Sequence, residues 1–188
     1  VIPGQLKTVV LNKELAVSYS GPADKAVAKI REIRQDLAKR VYFEEVLESL
    51  TEFTKNEGED VDFILSSHIS IPKLYKIAVG DIHYGLDMYW IGNEGAVSRV
   101  LEEVKKAETV TGALPRGMTP EEKKFREAFK KVVSGRSEPL AGGLVFDCIG
   151  SESGYHYNTQ AGVHTGGGMS IGISFDYSPA AGYEKPGS

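Results

Sequence analysis

Lys7 is the residue whose type and position in the chain best suit a catalytic role. It stands immediately before an apolar β-type run and behind the rigid Pro3-Gly4 pair. A lysine that begins a core strand is partly withdrawn from water, and the loss of hydration lowers its pKa. An amine with a lowered pKa can activate a neighbouring nucleophile, although most lysines at strand ends are solvated. Lys7 is therefore the first candidate catalytic residue.

The candidate nucleophiles and bases elsewhere in the chain lie in sequence contexts that are less typical of catalytic sites. Cys148, the single cysteine, lies in an apolar run where strand alternation puts it on the face of Phe146, so we interpret it as a small buried hydrophobe. Ser66, Ser67 and His68 combine attractive residue types, but neighbours on a strand point to opposite faces. We interpret them as a strand end.

We predict no metal site and no cofactor. The four histidines lack the short helical or turn spacing of zinc motifs, and no second cysteine accompanies them. His156 and His164 could converge across a hairpin, but solvated or packed histidines are the commoner case. The glycine run 166–168 does not follow a strand and open a helix, so we expect a solvent loop there and not a phosphate cradle.

Composition narrows the classes of function. The 188 residues are 41% hydrophobic and 26% charged, which is ordinary for a globular protein that needs no disulfide or metal staple. A net charge of -4 argues against nucleic-acid binding. No apolar run approaches the roughly 20 residues that a membrane helix needs, so we expect no membrane contact. The single cysteine favours a reducing, cytoplasmic location.

The elements around Lys7 begin with a hairpin. The β-type runs 8–11 and 15–19 flank the polar residues 12–14, whose number suits a hairpin turn. Lys7 therefore stands where the first strand of that hairpin begins. Two helices follow, predicted from apolar residues at helical spacing over 23 to about 41 and over 43–55.

The period of the pattern changes after the second helix. Apolar runs predict three strands, at 61–67, at 74–79 and ending at 88–91, with Gly80-Asp81 as the turn between the last two. A third helix is predicted after residue 95. A fourth begins at Pro120, with Thr119 able to cap it. The late strands are predicted at 144–149, 155–159 and 171–177.

Blocks of strands thus alternate with pairs of helices. This order excludes the strict strand-helix alternation of a doubly wound sheet. We predict an α+β fold in which two antiparallel sheets stack and each carries a helix pair on its outer face. The prediction is a single domain over 1–177, followed by a loose tail over 178–188 that is rich in small residues and proline.

The pattern around Lys7 resembles the proteasome β-subunit branch of the N-terminal-nucleophile (Ntn) hydrolases. Residues 7–21 are similar to that family's lysine, strand, turn, strand and glycine, without a gap. Residues 22–37 resemble its first long helix, and 88–96 resemble its strand-into-helix turn. Gly142-Gly143 resembles a glycine pair that opens a late strand. The likeness spans roughly residues 4–150.

The resemblance implies a four-layer αββα sandwich in which an N-terminal Thr, Ser or Cys attacks a peptide or amide carbonyl. Lys7 would then be the family's active-site lysine, which lowers the pKa of the nucleophile. The N–H of Gly21 would help to hold the oxyanion, and Tyr19 would form the floor of a substrate pocket. The resemblance also implies assembly into homo-oligomers, a peptide or amide substrate and no cofactor.

Several positions depart from the family pattern. Val1 is not a nucleophile, so we expect the nucleophile strand upstream of it. Glu138, Ala141 and Asn93 replace residues that support the reacting amine in active members. Three hypotheses stay open. The chain is the body of an amide-bond hydrolase, a catalytically inactive homologue that acts as a structural or interaction subunit, or an α/β binding domain unrelated to the family.

Overall fold

The computed structural model describes the chain in segments separated by gaps. The described residues are 7–12, 14–37, 42–67, 69, 73–85, 88–107, 120–134, 144–149, 156–163, 169–170 and 174–176. Within these segments, no helix combines the length and the apolar character that crossing a bilayer requires.

The predicted hairpin is confirmed. Strand β1 (Thr8–Val10) pairs antiparallel with β2 (Leu15–Ser20). Asn12 closes the turn, because its Oδ1 accepts hydrogen bonds from the backbone N–H groups of Glu14 and Leu15, each at 2.8 Å. Asparagine favours turns through such local bonds to the backbone that follows it. The hairpin therefore fixes Lys7 one residue before β1.

Two helices then cover one face of the hairpin's sheet. They are α1 (Ala23–Leu37) and α2 (Phe43–Asn56). Ile30 and Ile33 of α1 and Leu50 of α2 are buried in one apolar cluster with side chains of β2 and neighbouring strands. The part of the first helix that we predicted over 38–41 lies outside the described residues.

Four strands follow, where the sequence pattern predicted three. β3 (Asp62–Ser67), β4 (Lys73–Ala78) and β5 (Asp81–Tyr84) pair antiparallel in succession. The prediction joined β5 to β6 (Met88–Gly92), but β6 belongs to the other sheet. Gly85 follows β5 with a φ of 100°, a conformation that glycine adopts without strain. Every residue of β5 is exposed, so no apolar pattern marked the break.

The remaining elements begin with two helices and end with short strands. The helices are α3 (Glu94–Lys106) and α4 (Pro120–Ser134), and α4 begins at Pro120 as predicted, while Thr119 lies outside the described residues. The strands are β7 (Leu144–Ile149), β8 (His156–Val163), β9 (Met169–Ser170) and β10 (Ser174–Asp176). β7 has the predicted bounds, and β8 extends beyond its predicted end. β10 lies within the predicted strand 171–177, whose other residues are outside the described ones.

The strands form two antiparallel sheets, which confirms the predicted α+β class. Sheet A has the order β1-β2-β3-β4-β5, and sheet B has the order β10-β8-β7-β6, with β9 also paired to β8. One apolar cluster joins sheet A to α1 and α2, and a second joins β7 to α3 and α4. A third, which includes Ile64, Tyr89 and Val145, joins the two sheets.

Candidate functional site

The β1–β2 hairpin brings Lys7 and Tyr19 together. The backbone N–H of Tyr19 donates a hydrogen bond to the carbonyl oxygen of Lys7 at 2.8 Å. The Lys7 Nζ lies 4.6 Å from the centroid of the Tyr19 ring, a cation–π distance. Lys7 is only 7% exposed, and burial lowers the pKa of its amine. The expected desolvation of this lysine is therefore present in the folded chain.

Tyr19 is more deeply buried than we expect for a residue that forms the floor of an open substrate pocket. It is completely buried among the apolar side chains that join α1 and α2 to sheet A. Its hydroxyl has no hydrogen-bond partner among the described residues, and burial raises its pKa to about 12. A buried hydroxyl without a partner destabilises the fold by roughly 1 to 3 kcal/mol. The substrate-binding role of Tyr19 stays a prediction.

Gly21 ends β2 in a conformation that its neighbours require. Its φ is +89°, and a Cβ added there would lie 2.1 Å from the carbonyl oxygen of Asp60. The chain before β3 therefore approaches Gly21 too closely for any side chain. Backbone conformation and close packing are therefore enough to explain why residue 21 is a glycine. The oxyanion role that the resemblance implies for Gly21 stays a prediction.

The sequence matches no protein-family model and no curated protein. Among solved structures, it is similar to the eukaryotic HslV of Trypanosoma brucei. The two share 12% sequence identity with a TM-score of 0.43, over 70% of this chain and 74% of that chain. Similarity at this level supports no inference about fold or function.

A buried polar cluster between the sheets is the feature that the sequence analysis missed. Asp147 of β7 is fully buried, and its Oδ2 accepts hydrogen bonds from the hydroxyls of Ser66 at 3.1 Å and Ser18 at 3.4 Å. The Ser18 hydroxyl is in turn 2.8 Å from that of Thr8. A typical intramolecular hydrogen bond contributes roughly 0.5 to 1.5 kcal/mol net. The cluster links sheet B to three strands of sheet A.

This cluster is closed to substrate as the chain stands. Ser18, Ser66 and Asp147 have no exposed surface, and Thr8 is 6% exposed. Alternation along β2 separates the cluster from Lys7's partner, because Ser18 and Tyr19 are neighbours and point to opposite faces of sheet A. We therefore assign the cluster to the joining of the sheets. The available signal was a carboxylate in the middle of an otherwise apolar strand.

The remaining candidates are dispersed. Cys148 lies in β7, opposite Met88 and Tyr157 in the register of sheet B. His83 is exposed on β5, and His156 begins β8. His68, His164 and the glycine run 166–168 lie outside the described residues. In the described part of the chain, no three His, Cys, Asp or Glu side chains converge to hold a metal ion.

Two further positions have structural partners. Asn93, one of the departures from the family pattern, caps α3, because its Oδ1 accepts a hydrogen bond from the backbone N–H of Ala96 at 2.9 Å. On α4, Lys123 pairs with Glu127, and Lys131 pairs with Glu103 of α3. Both pairs therefore join lysines of α4 to nearby carboxylates. Glu138 and Ala141 lie outside the described residues.

Proposed function

We propose that this chain is the body of a proteasome-like Ntn hydrolase that cleaves peptide or amide bonds, with a four-layer αββα sandwich as its fold. The contacts of α1 and α2 with sheet A, and of α3 and α4 with sheet B, support the four layers. The observation that carries the activity is Lys7, a desolvated amine at the start of the hairpin whose second strand ends at Gly21.

In this mechanism the nucleophile is a Thr, Ser or Cys that precedes Val1. Its side-chain oxygen or sulfur attacks the carbonyl carbon while its proton passes to its own α-amine, which titrates near pH 7.7–8.0 in model peptides. The carbonyl electron pair moves to the oxygen, and the N–H of Gly21 stabilises that oxyanion. Collapse expels the amine product with the transferred proton, and water then hydrolyses the acyl-enzyme.

Lys7 acts on the nucleophile through its charge. A positive amine close to a hydroxyl or thiol stabilises the deprotonated form and so lowers its pKa. The Tyr19 ring helps to hold that amine, because a ring face attracts the cation and leaves its charge in place.

The test is turnover of a panel of peptide amides by the full-length protein and its Lys7→Ala variant. We expect loss of turnover in Lys7→Ala with an unchanged circular dichroism spectrum. Lys73→Ala, which removes an exposed lysine at the start of β4, is the matched control and should keep full activity. Full activity in a folded Lys7→Ala variant would disprove the role that we give Lys7.

A second candidate function is an inactive subunit that serves assembly. Two observations favour it. Lys7 and Tyr19 are both buried, so substrate has no approach to them through the described residues. Apolar side chains are also exposed at the edge of sheet A, namely Ile82 and Tyr84 of β5, its last strand, and Val79 in the turn before it. If this candidate is correct, Ile82→Lys should dissociate an oligomer in native mass spectrometry, and the peptide panel should show no turnover.

A further inference from the structure

A cleft of about 660 Å³ opens where the two sheets end side by side. Sheet A ends at β5 and sheet B ends at β6, and the cleft lies between these strands and β4. Its volume falls within the roughly 300 to 1,000 Å³ of small-molecule sites. It is separate from the hairpin that carries Lys7, so a ligand here could bind whether or not the chain is a hydrolase.

The walls of the cleft are rich in flat and polarisable side chains. The residues that matter here are His83, Met88, Tyr89 and Trp90. His83 is exposed, so the cleft is open to solvent at β5, whereas Tyr89 is buried at its inner end. Aromatic rings and a thioether favour a flat, apolar ligand, because ring stacking and sulfur–ring contacts both add to simple burial.

Lys76 places a positive charge against this apolar wall. Its Nζ lies 4.3 Å from the centroid of the Trp90 ring. Among the described residues, Lys76 has no carboxylate at ion-pair distance. Asp62 is within electrostatic range, but burial dominates and raises the pKa of that carboxyl, with Lys76 opposing the rise. The amine of Lys76 is thus held by a ring, and a carboxylate that enters the cleft could contact it.

We propose that this cleft binds an aromatic carboxylate, with the carboxylate on the Lys76 ammonium and the ring against His83 of β5 and Trp90 of β6. Both parts of the ligand are needed. A simple anion would leave the aromatic side chains of the cleft exposed to water. A neutral aromatic molecule would form no ion pair with Lys76. Charge-assisted hydrogen bonds in a partly desolvated cleft are stronger than neutral ones, so the acid should bind better than its amide.

The experiment uses cinnamate as the probe and cinnamamide as its neutral match. Trp90 is the only tryptophan, so its indole N–H signal in the NMR spectrum reports this cleft alone. We expect cinnamate to shift that signal saturably, with an affinity at least about tenfold higher than that of cinnamamide. Lys76→Met should lose that tenfold advantage and keep the cinnamamide affinity. Lys73→Met, an exposed lysine on the same strand, should change neither affinity.

If Lys76→Met does not fold, a second measurement on the unmodified chain tests the same proposal. Added salt should weaken cinnamate binding and leave cinnamamide binding unchanged, because only the acid forms an ion pair. The proposal is overturned if the Trp90 signal does not move, if acid and amide bind equally well, or if a folded Lys76→Met variant binds cinnamate as the parent does.

Discussion

Replacing Gly21 by alanine tests how the end of β2 is built. The added Cβ meets two obstacles: a φ of +89° that disfavours any side chain, and the carbonyl oxygen of Asp60 at 2.1 Å. The conformation costs roughly 1 to 2 kcal/mol for an L-residue. The contact adds roughly 1 to 3 kcal/mol, typical of overpacking, because the neighbouring atom is backbone and cannot rotate away. We expect Gly21→Ala to lower the free energy of unfolding by about 2 to 5 kcal/mol.

Gly85 provides the matched control. Its φ is +100°, and an added Cβ there would have none of the described residues within 4 Å. Gly85→Ala should therefore cost only the conformational part, roughly 1 to 2 kcal/mol. Urea unfolding followed by circular dichroism measures both variants against the parent chain. If Gly21→Ala is no less stable than Gly85→Ala, the Asp60 carbonyl does not lie as close to Gly21 as the structure indicates. Packing would then not explain why residue 21 is a glycine.

Three more predictions follow from buried polar groups. Tyr19→Phe should leave stability unchanged or raise it by up to roughly 1 kcal/mol in urea unfolding, because it removes a buried hydroxyl without a partner among the described residues; a marked loss would contradict this. Burial lowers the pKa of Lys7 below 10.5 in the folded chain, so the parent should gain stability as pH rises from the folded-state pKa towards 10.5. Lys7→Met should lack that gain in unfolding at a series of alkaline pH values. Asp147→Ala should destabilise by about 2 to 4 kcal/mol, because its hydroxyl partners lose a buried acceptor. Asp81→Ala, at an exposed site, should have almost no effect in the same assay.

Local signals predicted the elements around the candidate site. A polar turn between two β-type runs, followed by apolar residues at helical spacing, was enough to place the β1–β2 hairpin and α1. The same signals predicted that Lys7 would be desolvated, since it begins a strand of the core. Its contact with Tyr19 depends on the pairing register, in which Thr8 lies opposite Ser18. The turn length alone does not specify that register.

Features that depend on how the sheets stack could not be predicted. Ser18, Ser66 and Asp147 are far apart in sequence and meet only because β2 and β3 face β7. The break between β5 and β6 was missed for a related reason. An exposed edge strand has no buried face, so periodicity carries no information about where it ends. The cleft beside Trp90 exists only because the two sheets end there together.

The central claim is that Lys7 serves a nucleophile at the N-terminus of the mature protein. Its most direct test is N-terminal sequencing, with intact mass, of the protein purified after expression of its full-length gene. The account predicts a mature chain that begins with Thr, Ser or Cys about one hairpin, roughly two dozen residues, before Val1. A mature chain that begins with any other residue would contradict the hydrolase proposal and leave the assembly subunit as the better account.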